Sequence, residues 1–103
     1  MSQVQQIDIT GVKTLLEKED CLLVDIREPA IFQQGHIPGA VHLGNHNLEQ
    51  VLNEAEFDQP VVVCCYHGIS SISVADYLIQ RGFEEVYSLA GGFEAWAREN
   101  PLP

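Results

Sequence analysis

Basic residues are scarce in this chain: five Lys and Arg stand against fifteen Asp and Glu, a formal charge of -10. That shortage argues against nucleic acid or an anionic membrane as partner, because both need a basic face. Long apolar runs are missing as well. The strongest, residues 61–66, falls far short of the ~20 residues that span a bilayer. The opening residues carry neither a basic segment nor an apolar signal core, so a cytoplasmic setting is expected. Cysteine is limited to three, an odd count that suits thiols kept reduced rather than a disulfide framework. Repeats, low-complexity tracts and linkers are absent. What remains is an ordinary globular mixture, 46% hydrophobic and 19% charged, too apolar for disorder. The 103 residues predict a single domain over 1–103.

The elements alternate along the chain. Asp8 or Thr10 can cap a short helix whose Val12, Leu15 and Leu16 share one face. Residues 21–26 form an apolar run of strand length, and Pro29 then opens a helix that Gly35 closes. A short strand follows at 40–43, and Leu48, Val51 and Leu52 mark another helix face. The clearest buried strand is Val61-Val62-Val63-Cys64-Cys65, β-branched and bounded by Pro60 and Gly68. Ser70 or Ser71 can cap the next helix, which Arg81 and Gly82 end. A strand at 86–89 and a helix after Gly91-Gly92 complete the pattern. Apolar strands separated by helices predict an α/β fold, a small parallel sheet with helices on both faces.

Ligands in such sheets sit at the carboxyl ends of strands, where this chain places Cys65-Tyr66-His67-Gly68-Ile69-Ser70-Ser71. A short loop with a central glycine can turn successive N–H groups onto one point beside a helix N-terminus. That makes an anion site with no basic side chain, and a cysteine at its rim would be held as the thiolate. Local features leave Cys65 open between a reactive thiol and a packed small hydrophobe. Cys64, on the opposite side of the strand, and Cys21 read as packing residues.

Three stretches together resemble the rhodanese domain family, in particular its single-domain thiosulfate sulfurtransferases of the GlpE type. The first is the Cys65 loop. The second is Val24-Asp25-Ile26-Arg27-Glu28-Pro29 with Phe32 and Gly35-His36-Ile37-Pro38-Gly39-Ala40. The third is Gly91-Gly92-Phe93-Glu94-Ala95-Trp96. The resemblance implies a rhodanese fold with Cys65 as nucleophile. It implies double displacement: a thiolate takes sulfane sulfur from a small anionic donor such as thiosulfate, and the persulfide hands it to an acceptor. Cyanide accepts in assays, and a small thiol or a thioredoxin-like protein in the cell. Neither metal nor cofactor is implied.

Many thiosulfate-specific relatives place a cation in or just after the loop. Here residues 66–73 contain none. Binding is therefore expected from the amides of Tyr66, His67, Gly68, Ile69, Ser70 and Ser71, the serine hydroxyls, and Arg27 or His67. Ser71 also stands where Cys-x5-Arg phosphatases carry arginine, which argues against that chemistry. His67 reads either as an anion donor or as a loop shaper. Arg27 reads either as a strut between loops through Asp25 or Glu28, or as an attractor of substrate. His36, His42 and His46 match no metal-ligand spacing. Glu54, Glu56 and Asp58 read as a solvated face. The alternatives to a sulfurtransferase are a persulfide carrier between protein partners and a non-catalytic binding module.

Overall fold

The computed structural model describes residues 4–18 and 20–100; residues 1–3, part of the segment read above for a signal core, lie outside them. The elements run β1 (Gln5–Ile7), α1 (Ile9–Lys18), β2 (Leu22–Asp25), α2 (Pro29–Gln34), β3 (Val41–His42), α3 (Leu48–Glu54), β4 (Val61–Cys64), α4 (Ser70–Gln80), β5 (Val86–Leu89) and α5 (Gly92–Glu99). All five strands pair in parallel, in the order β1-β5-β4-β2-β3.

β4 is central and buried at every position. Successive strand residues point to opposite faces, so its side chains feed two cores. Val61 and Val63 pack with Leu52 of α3 and Ala75 and Leu78 of α4. Val62 and Cys64 pack with Ile9 and Val12 of α1, and with Phe93 and Trp96 of α5 at the margin. This is the α/β architecture expected, with helices on both faces. Among the described residues no helix is long and apolar enough to cross a membrane.

Local signals explain most boundaries. Asp8, of the two caps expected for α1, takes the role: its Oδ1 accepts from Gly11 N–H at 2.7 Å. Pro29 stands in the first turn of α2 and Gly35 closes it, with its N–H donating to the Phe32 carbonyl. One element was not anticipated and one expectation fails. β1 has no strand pattern of its own and forms by pairing with β5. Neither Ser70 nor Ser71 caps α4; Ile69 holds that position without a side-chain bond, because the Ser71 hydroxyl is engaged elsewhere.

The topology leaves a crevice beside β4. The chain leaves β2 for the outer strand β3 and leaves β4 for β5 on the other side. Loops after β2 and β4 therefore diverge, which in α/β sheets is where ligands bind.

Candidate active site

Cys65 is the first residue beyond β4 and is 5% exposed. Two amides donate to its sulfur, Gly68 N–H at 3.0 Å and Ser71 N–H at 3.3 Å, and the thiol itself donates to Ser71 Oγ at 3.2 Å, a bond that must reverse when the sulfur is a thiolate. Burial pushes the thiol up, but the Ser71 hydroxyl and the amides of Ser71, Gly68 and Ile69 outweigh it. Cys65 is thereby held below the ordinary cysteine value. Cys64 is the reverse case: burial, with Asp25 adding and Arg27 opposing, pushes its thiol up to about 12.

The loop keeps this shape because α5 grips it from behind. Phe93 N–H donates to the Cys65 carbonyl at 2.8 Å, and Glu94 N–H to the Tyr66 carbonyl at 3.0 Å. With those carbonyls bound to the N-terminus of α5, the following amides are free to face the sulfur. The approach requires glycine on both sides. Gly68 has φ +88, and a Cβ there would lie 2.8 Å from both Gly91 N and the Leu89 carbonyl oxygen. Gly92 has φ +60, and a Cβ there would run into the carbonyl oxygens of Tyr66 and Cys65.

Cys65 opens into a pocket of about 470 Å³ walled by Ile26, Arg27, Glu28 and Ile31 on the β2 side and by Tyr66 and Ser70 on the β4 side. Arg27 is in this wall, but its charge is already paired. Its Nε and Nη2 donate to both oxygens of the fully buried Asp25, Nη2 also reaches the Gly35 carbonyl, and the guanidinium lies 4.0 Å from the Phe93 ring centre. Arg27 thereby ties the end of β2 to the end of α2 and to the first turn of α5. His67 is exposed, stacks edge-on against Tyr66 and stands 3.6 Å from Glu94 Oε1. Ile69 is 72% exposed and outside the pocket wall; its amide, not its side chain, serves the sulfur.

The sequence reading missed Ser88, a fully buried serine of β5 whose Oγ lies 2.7 Å from Ser71 Oγ. The one available signal was a hydroxyl in an otherwise apolar strand.

Comparison with known proteins gives the family. Residues 8–99 match the family described as the rhodanese-like domain. The chain belongs to that family. It is 51% identical over 100 residues to a protein named thiosulfate sulfurtransferase GlpE from Vibrio cholerae, covering 97% of this chain and 94% of the relative. It is 50% identical over 92 residues to the protein of the same name from Pseudoalteromonas translucida, covering 89% and 88% of the two. A rhodanese-like domain protein from Staphylococcus aureus superposes with a TM-score of 0.78 at 26% identity, over 90% of this chain and 91% of its own.

Proposed function

We propose that this rhodanese domain, acting as a single unit over residues 1–103, is a thiosulfate sulfurtransferase that carries sulfane sulfur on Cys65. The observation that carries the reading is one sulfur, in the lining of a pocket, that accepts from two converging amides and is hydrogen-bonded to a hydroxyl able to donate to its anion. The names of the two half-identical relatives support the same chemistry.

In the first half-reaction the Cys65 thiolate attacks the outer sulfur of thiosulfate. A new S–S bond forms, the S–S bond of thiosulfate breaks, and sulfite leaves with the electron pair. In the second, a nucleophile attacks the outer sulfur of the persulfide and Cys65 leaves as thiolate. Cyanide, a small thiol or a thioredoxin-like dithiol can take that role. Cys65 carries charge before attack and after departure, so the same donors serve both halves. The amides from Tyr66 to Ser71 and the hydroxyl of Ser70 form the binding rim, with Arg27 contributing its flank. Neither half-reaction calls for a metal or cofactor. A cytoplasmic setting fits a nucleophile that must remain reduced.

A second reading, persulfide carrier between proteins, is favoured by one observation. The loop has no cation, and the charge of Arg27 is taken by Asp25. Intact mass after thiosulfate treatment separates the two. The enzyme reading expects a gain of one sulfur atom, cleared by cyanide, abolished by Cys65→Ser and retained by Cys64→Ser. A gain from a protein persulfide but none from thiosulfate favours the carrier; no gain from any sulfane donor sinks both.

A further inference from the structure

Ser88 does not touch Cys65, yet it ends a hydrogen-bonded chain that begins at the sulfur. It stands in β5, paired across the sheet with Val63 of β4, and its side chain is buried. Burying a hydroxyl is costly unless it is hydrogen-bonded. The partner of Ser88 Oγ is Ser71 Oγ, at 2.7 Å, and that same oxygen lies 3.2 Å from Cys65 Sγ.

Counting hydrogens fixes the direction of this chain when the sulfur is charged. A thiolate has no hydrogen to give, so the single hydrogen of Ser71 Oγ must point at Sγ. Ser71 Oγ can then only accept from Ser88. We infer that Ser88 is a positioning residue for sulfur transfer, its hydroxyl holding that of Ser71 turned towards Cys65 Sγ. A hydroxyl that accepts one hydrogen bond donates a stronger one, more so in a dry interior. Ser88 thus strengthens the grip on the sulfur from two bonds away. The inference rests on Cys65 being the nucleophile proposed above.

Other charged and titratable groups stand on the elements that adjoin the pocket: Cys64 in β4, Asp25, Arg27 and Glu28 from the β2 side, Tyr66 and His67 in the loop, and Glu94 on α5. The hydrogen bonds of Ser71 and Ser88 side chains run to each other and to Cys65, not to these groups. A change at position 88 therefore reaches the sulfur through Ser71.

The rate of iodoacetamide alkylation of Cys65 against pH, resolved by residue with mass spectrometry, tests this without any sulfur donor. For Ser88→Ala the inflection should move up and the rate at pH 7 should fall roughly threefold to tenfold, the scale of one hydrogen bond. Ser88→Thr keeps the hydroxyl and should keep the parent profile. Ser71→Ala should move the inflection further, and adding Ser88→Ala to it should move it no more. If Ser88→Ala does not fold, Ser88→Cys, close in volume but a weak donor, carries the same expectation. The parent profile in a folded Ser88→Ala protein, or an undiminished Ser88→Ala shift in the Ser71→Ala background, overturns the positioning role. A parent Cys65 that reacts no faster than free cysteine overturns the nucleophile reading instead.

Discussion

Cys64 and Cys65 differ by one step along a strand, and that step changes their ionisation in opposite directions. Cys64 faces the core shared with α1 and α5, where burial and the Asp25 carboxylate outweigh the opposing charge of Arg27. Cys65 meets the loop amides and Ser71. A thiol whose folded pKa is depressed stabilises the fold above the unfolded thiol value, and that gain is lost as pH falls through the folded pKa. Alkylation of Cys65 should therefore show its inflection below the ~8.5 of free cysteine, with Cys64 unreactive across the same range. Residue-resolved rates from pH 5 to 10 check this; equal profiles for both would refute it. The position of Cys65 at a strand end, before a glycine, was legible in the sequence. Ser88 was not, since its partner is 17 residues away and only the pairing of β5 with β4 brings them together. Arg27 was left open between strut and attractor, and the structure shows the strut contact, with the buried carboxylate of Asp25 two residues earlier.

The elements fix the loop by mutual contact rather than by internal stiffness. The N-terminus of α5 holds two carbonyls of the loop, and Gly92 makes the approach possible. Gly92→Ala combines a positive φ with a backbone collision. It should cost about 1–3 kcal/mol in urea unfolding for the strain alone, and should lower sulfur loading of Cys65 as well. Loss of stability with undiminished loading would separate α5 from the site. Arg27→Ala leaves Asp25 buried and unpaired, a loss of about 3–5 kcal/mol by the same measurement; an unchanged midpoint would deny the strut. The helices were the legible part. α2 is bracketed by Pro29 and Gly35, and α3 and α4 show their apolar faces. β1 was hidden because Gln5 and Gln6 are exposed, so its strand is dictated by the free edge of β5.

Across the whole molecule, a cluster of acids lies away from the sulfur, although Glu28 lines its pocket. Two neighbouring clefts at the amino ends of the strands are lined by Asp58, Glu84 and Glu85, and by Asp20, Glu56 and Asp58. The four residues of β4 alone separate that pole from Cys65 by roughly 13 Å, more than the ~8 Å screening length at physiological salt. At the opposite pole Asp25 is paired with Arg27, and Glu94 stands near His67 and Arg98. Replacing Asp58, Glu84 and Glu85 by their amides should change kcat/KM for thiosulfate by less than about twofold at 0.15 M salt, and by more at 0.01 M. A large effect at both salts would mean that the net charge, not the local donors, governs entry of the anion. The recess of Cys65 has a different consequence. The thiol is only 5% exposed where it lines the pocket, whereas a persulfide formed there would carry its outer sulfur one S–S bond, about 2.05 Å, beyond it. On the proposed chemistry, the sheathed thiol would be shielded from chance disulfides with bulky passers-by while its cargo reaches further out for delivery.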